Sequence, residues 1–222
     1  LEHAHNAGFI HRDVKPKNIM FTKDGVAKLA DMGLARAVSD REAAEAEQGK
    51  AFGTPYYISP EQIRGSLDVD FRADIYGLGG TLYHMVTGQV PFDGPNPSAV
   101  MHQHLKARLT PPDHINPSLS AGIGEIIEVC MAKDRNQRYN NTAALLEDLE
   151  AVRHGEGPLQ ARKKFDLASL ASIEPGEETT ESDPVAIGHA SPSAGLLVFL
   201  VAGWGLSLIL LVVLLVVITS RG

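Results

Sequence analysis

The stretch from Ala73 to Val86 constrains this chain more than any other. Ile75, Tyr76, Leu78, Leu82, Tyr83, Met85 and Val86 fall on nearly every side of a helix drawn through it. A surface helix carries one apolar stripe, whereas a helix that is apolar all round must be covered on all sides. The stretch therefore predicts a central buried helix and requires a domain around it. Gly88 ends this helix, and Pro91 keeps the chain from resuming it at once. Three further helical patterns are available to cover it: Ser98 to Ala107, Ser120 to Ala132 and Thr142 to Arg153.

Upstream the pattern shortens. Leu1 to Ala7 reads as the end of a helix closed by Gly8, and Phe9-Ile10 as a short strand. Ile19 to Phe21 and Val26 to Ala30 are two β runs joined through Asp24-Gly25, a hairpin signal. Gly33 to Glu61 has little periodicity and reads as a long loop, a feature that inside a domain is usually functional. Residues 1–153 thus predict an α+β domain, mainly helical with a short β-hairpin.

Composition then changes. Residues 154–193 are rich in Pro, Gly, Ser and Glu, and are expected to form an acidic, disordered linker. Leu196 to Ile218 contains no charged residue. At about 1.5 Å per residue it is long enough to cross a hydrocarbon layer roughly 30 Å thick. No domain surrounds it to bury it, so a single transmembrane helix is expected over 194–219, followed by a tail at 220–222.

A net charge of −7 with no basic stripe argues against a nucleic-acid partner. The one cysteine, Cys130, lies in an apolar helical run and reads as a core thiol; it excludes an internal disulfide framework. Nine histidines invite a metal reading, but His3/His5 and His102/His104 are spaced so that a helix points them to different faces.

Chemistry concentrates on either side of the hairpin. His11-Arg12-Asp13-Val14-Lys15-Pro16-Lys17-Asn18 precedes it and Asp31-Met32-Gly33 follows it. Further on come Gly53-Thr54-Pro55-Tyr56-Tyr57-Ile58-Ser59-Pro60-Glu61, Asp74 within Arg72 to Gly79, and Arg138 within Asp134 to Arg138. In this order residues 1–153 resemble the C-terminal lobe of a eukaryotic-type serine/threonine protein kinase, with Met32 for the family's phenylalanine and Ser59 for its alanine. With the span, the layout is similar to bacterial receptor-like kinases.

The resemblance implies transfer of the ATP γ-phosphate to Ser or Thr hydroxyls of protein substrates, with Mg²⁺ (or Mn²⁺) as cofactor. It makes Asp13 the acceptor of the hydroxyl proton and Lys15 the cation on the moving phosphoryl group. It makes Asn18 and Asp31 the metal ligands and Thr54 the substrate-docking threonine. Structural support is implied for His11, Arg12 and Gly33, for Asp74 under the loop, and for a buried Glu61–Arg138 pair. In relatives an arginine such as Arg12 often meets a phosphothreonine, but here Ser39 is the only hydroxyl between Gly33 and Thr54. Glu45 or Glu47 is expected to face Arg12 instead; solvation of an exposed turn is the plainer alternative for both.

The chain starts with Leu1, and it shows no glycine-rich loop, strand lysine or partnering helix glutamate. It is therefore expected to be a fragment without the ATP-gripping N-terminal lobe, inactive alone. A single-pass protein of a bacterial inner membrane is expected, its kinase portion cytoplasmic where ATP is, although Arg221 beyond the span casts one vote for the opposite orientation. Protein substrates, ATP and the membrane are the expected partners, and a homodimer is one assembly this allows. The competing reading is a kinase-like, non-catalytic binding module tethered to the membrane.

Overall fold

The computed structural model describes residues 1–171, with side chains as far as residue 166. The expected linker residues 172–193 and the expected span 194–219 lie outside the described residues. No helix among the described residues is long and apolar enough to cross a membrane.

The chain opens with α1 (Glu2–Asn6) and β1 (Phe9–Ile10), followed by β2 (Ile19–Phe21) and β3 (Ala27–Leu29). β4 (Arg36–Ala37), α2 (Arg41–Glu47) and α3 (Pro60–Ile63) lie in the stretch expected to be loop. The helical body comprises α4 (Arg72–Thr87), α5 (Pro97–Lys106), α6 (Pro112–Ile115), α7 (Ala121–Cys130), α8 (Thr142–Arg153) and α9 (Leu159–Ala171). The strands form two antiparallel pairs, β2 with β3 in the register Ile19↔Leu29, and β1 with β4 in the register Ile10↔Arg36.

α4 is the hub. Its Ile75 joins Ile126, Val129, Cys130, Tyr139 and Leu145 in one buried cluster. Tyr76 and Tyr83 join Phe92, Val100, Ile127 and Met131 in a second, and Ala73 joins Ile10 and Val69 in a third. One helix feeding three clusters is what an all-round apolar surface demands. Two glycines let neighbours close on it. A Cβ at Gly79 would stand 2.5 Å from the Cβ of Cys130 on α7, and one at Gly77 would stand 3.1 Å from the carbonyl oxygen of Val14. α4 is thus packed directly against the loop that carries Asp13.

Local chemistry sets the helix starts. Asn96, Asn141 and Asp40 each accept a backbone N–H from the first turn of α5, α8 and α2, and Ser59 and Gln62 form a reciprocal capping box on α3.

The linker expected from residue 154 does not begin there. Residues 159–171 form α9, which packs on α7 and α8, and Ala161 is fully buried. Asp148 on α8 anchors it, accepting the backbone N–H of Gln160 at 2.9 Å and of Ala161 at 2.7 Å, together with the Tyr139 hydroxyl at 2.8 Å. Composition alone reads this stretch as linker because the contacts that hold it lie on another helix.

Candidate active site

Two backbone outliers mark the place. Arg12 and Asp31 have φ of 67° and 65°, and among the described residues they are the only non-glycines with positive φ. Such backbone costs about 1–3 kcal/mol and persists only where its surroundings enforce it.

Asp74, in the first turn of α4 and almost wholly buried, does much of the enforcing. Its Oδ2 accepts the His11 N–H at 2.8 Å and its Oδ1 the Arg12 N–H at 2.7 Å, while His5 donates Nε2–H to Oδ2 at 2.8 Å. From the other side, Gln62 on α3 donates Nε2–H to the Arg12 carbonyl at 2.8 Å and to the Phe52 carbonyl at 3.0 Å. The peptide units flanking Arg12 are therefore held by two separate helices.

Asp13 emerges from this clamp into a hydrogen-bonded cluster. Its Oδ2 accepts from Lys15 Nζ at 2.5 Å, and its Oδ1 accepts the Thr54 hydroxyl at 2.7 Å and the Thr54 N–H at 3.1 Å. Lys15 Nζ also donates to Thr54 Oγ1 at 2.7 Å, closing a triangle. Burial alone would raise the pKa of Asp13, but the Lys15 and Thr54 hydrogen bonds and the Lys15 charge outweigh it and hold the carboxyl below its usual range.

Asn18, buried, donates Nδ2–H to the Asp13 carbonyl at 2.9 Å and to Asp13 Oδ2 at 3.3 Å, which leaves its Oδ1 as an oxygen donor. Asp31 is exposed, and its Oδ1 accepts the Gly33 N–H at 3.2 Å. No side-chain hydrogen bond joins Asp31 to Asp13, Lys15 or Asn18 among the described residues. The link is through Ala30. Its N–H donates to the Asn18 carbonyl at 2.8 Å, and its carbonyl accepts Nε2–H of the buried His11 at 3.1 Å. Because that carbonyl can only accept, His11 carries its proton on Nε2, and its Nδ1 takes the Asp13 N–H at 3.4 Å. His11 thereby ties the backbone beside Asp31 to the backbone of Asp13.

Among the described residues no group of three or more His, Cys, Asp or Glu could hold a metal by itself. The donors offered are one exposed carboxylate and one amide oxygen. These hard ligands fit Mg²⁺, which binds through one or two carboxylates and completes its shell with water and substrate phosphates.

A protein kinase domain model matches residues 1–149. The chain belongs to the protein kinase family. A probable serine/threonine-protein kinase PknB of Bifidobacterium longum is 37% identical over 195 residues, covering 87% of this chain and 28% of the relative. The serine/threonine-protein kinase PknB of Mycobacterium tuberculosis is 39% identical over 173 residues, covering 78% and 27%. A probable serine/threonine-protein kinase of Clostridium perfringens is 40% identical over 153 residues, covering 69% and 22%. The chain thus spans 22% to 28% of the length of these kinases. Family membership implies use of ATP and a divalent cation in general.

Arg12 of this kinase domain turns its side chain away from Asp13, toward α2. Nε donates to the Leu34 carbonyl at 2.5 Å, and the guanidinium forks onto Glu47 at 2.5 and 3.2 Å. Glu47 also accepts from Arg36 at 3.3 Å. Glu45, the other carboxylate expected near Arg12, is exposed and makes no such contact. Met32 is 51% exposed. Glu61 and Arg138 form a two-armed ion pair at 2.6 and 2.8 Å in the core, apart from the Asp13 cluster.

Sequence reasoning missed three members of this site: His5, weighed only as a metal ligand, Gln62 and Arg36. Gln62 has a signal, since Ser59-Pro60-Glu61-Gln62 matches a capping box. Arg36 has none, because only the β1–β4 pairing brings it beside Arg12.

Proposed function

We propose that this chain carries the phosphoryl-transfer half of a serine/threonine protein kinase, which moves the γ-phosphate of ATP to Ser or Thr hydroxyls of protein substrates. The carrying observation is the Asp13–Lys15–Thr54 triangle. A carboxylate kept ionised accepts the substrate hydroxyl proton, a cation beside it offsets charge on the transferring group, and Thr54 fixes both in one geometry. Asp31 and Asn18 would hold Mg²⁺, which neutralises phosphate charge when bound. Asp74, Gln62 and His11 position these groups without touching substrate.

The 222 residues contain neither a glycine-rich loop after a strand nor a strand lysine to grip the α- and β-phosphates, so this chain alone is expected not to turn over. We assign 194–219 to a membrane span on the strength of the uncharged run Leu196 to Ile218, with the kinase domain on the cytoplasmic side, where ATP is. The kinases to which the chain is similar come from bacteria, which favours a bacterial source. The placement in an inner membrane rests on the uncharged run alone.

The test compares this chain with the complete gene product on a generic Ser/Thr protein substrate. Turnover by the gene product, abolished by Asp13→Asn while the domain still folds, is expected. Turnover retained in Asp13→Asn would overturn the mechanism. Reporter fusions at either side of 194–219 test the topology, and a cytoplasmic signal from both sides would remove the span.

A further inference from the structure

We infer that Glu47 is a positioning residue: its carboxylate, clamped between Arg12 and Arg36, holds the residue before Asp13 in place and does so without any added phosphate. The inference deepens the kinase reading above and rests on it.

Three observations carry it. First, the clamp is buried on its cationic side. The Arg12 and Arg36 side chains retain only 8% and 6% exposure, and Glu47 supplies the only carboxylate bonded to either among the described residues. Two guanidiniums so far from water need a counter-charge, and a bidentate fork fixes direction as well as charge. Arg12 is then held at every polar group: N–H by Asp74, carbonyl by Gln62, side chain by Leu34 and Glu47. Its left-handed backbone, which aims Asp13, is over-determined.

Second, Glu47 is the last residue of α2, at the negative end of the helix dipole, where a carboxylate is disfavoured. The helix does not benefit from it; the arginines do. The Arg12 hydrogen bond leads the causes that hold its pKa below the usual range, against the opposing effect of burial.

Third, among the described residues no other carboxylate bonds Arg12 or Arg36, and the stretch between Gly33 and Thr54 offers a single hydroxyl that could carry phosphate. Ser39, the only hydroxyl between Gly33 and Thr54, is exposed and precedes the N-cap Asp40. At 1.5 Å per residue, α2 puts it roughly 10 Å from the end that meets Arg12.

The experiment uses the complete gene product. Phosphatase treatment, checked by intact mass, is expected to leave activity unchanged. Glu47→Gln should lower kcat about 10- to 100-fold with little change in the KM for ATP, as misaimed catalytic groups do. Glu47→Asp should restore part of the loss, and Glu45→Gln, on the same helix, should match wild type. In the 222-residue chain in detergent, Glu47→Gln should speed hydrogen exchange at the amides of Arg12 and of residues 49–54. A merely structural role would lower stability without the selective fall in kcat or the rescue by aspartate. Two results overturn the inference: activity that is lost on dephosphorylation and returns only with phosphate on Ser39, or Glu47→Gln equal to wild type in kcat and in exchange. If the wild-type gene product has no kinase activity while Glu47→Gln still speeds exchange, the clamp stands and the kinase reading falls.

Discussion

Arg138→Met should be among the most damaging single changes in the helical body. Arg138 is fully buried, and each of its five N–H donors has an acceptor. Nη1 meets Glu61 Oε1 at 2.6 Å and the Arg72 carbonyl at 2.9 Å; Nη2 meets Glu61 Oε2 at 2.8 Å and the Lys133 carbonyl at 3.4 Å; Nε meets the Ala132 carbonyl at 2.8 Å. The guanidinium also lies 4.8 Å from the Tyr76 ring centroid. Methionine fills much of the volume but strands the Glu61 carboxylate, itself 6% exposed, and the Ala132 and Lys133 carbonyls. Breaking a buried pair on one side costs about 3–5 kcal/mol. At roughly 2–4 °C per kcal/mol for a domain of this size, melting should fall by roughly 6–20 °C. Thermal and urea unfolding of the chain in detergent, followed by circular dichroism, reads this directly. The double variant Glu61→Leu with Arg138→Met removes both charges and leaves only the carbonyls unpaired, so it should be about 2 kcal/mol more stable than Arg138→Met alone. Arg138→Lys should fall between, since one ammonium cannot serve both sides of the fork. A loss under about 3 °C for Arg138→Met, or a double variant that shows only the sum of its two singles, would refute the reasoning.

Asp74→Asn keeps one acceptor oxygen but loses the charge that two consecutive N–H groups share. Each weakened bond should lower local opening energy by about 1–3 kcal/mol, read as faster hydrogen exchange at His11 and Arg12; unchanged protection there would count against the anchoring role. Asp148→Ala removes the acceptor for Tyr139, Gln160 and Ala161, so α9 should undock and limited proteolysis should cut between residues 154 and 158; an uncut chain would show that α9 is held otherwise. Burial, helped by the nearby Arg138 charge, lowers the Lys133 ammonium from 10.5 to about 8. A base whose folded pKa is depressed opposes folding fully below that value, and the penalty lifts as pH rises from about 8 toward 10.5. Lys133→Met should therefore gain most over wild type at neutral pH and least near the top of that window, and a pH-independent difference in melting temperature would contradict it.

How much of this could be read from residues alone depended on the range of the forces involved. α4, α5, α7 and α8 were legible because their apolar spacing repeats within each element, and the β2–β3 hairpin because Asp24-Gly25 carries the turn. β4 escaped because two residues hold no periodicity; its strand character comes from pairing with β1. α2 escaped for a different reason. Asp40 and the alanine-rich, glutamate-rich run after it are good helix chemistry, but only Ala44 is buried, so there is no apolar stripe to notice. α9 read as linker because its anchor, Asp148, belongs to another helix.

The candidate site divides along the same line. Which groups could do phosphoryl transfer was a matter of residue type and order, and Asp13, Lys15, Asn18, Asp31 and Thr54 carry that in their identities. Which of them meet was a matter of the fold. Sequence left Glu45 and Glu47 equal candidates for Arg12; on α2 they point about 200° apart around the axis, so only one can face it, and the packing of the helix selects Glu47. The left-handed backbones of Arg12 and Asp31, the bridge through His11, and the grip of Asp74 and Gln62 likewise depend on residues far apart in the chain. Local chemistry is written in neighbouring residues and survives being read one stretch at a time. Aim and register come from contacts that form only after distant segments pack together.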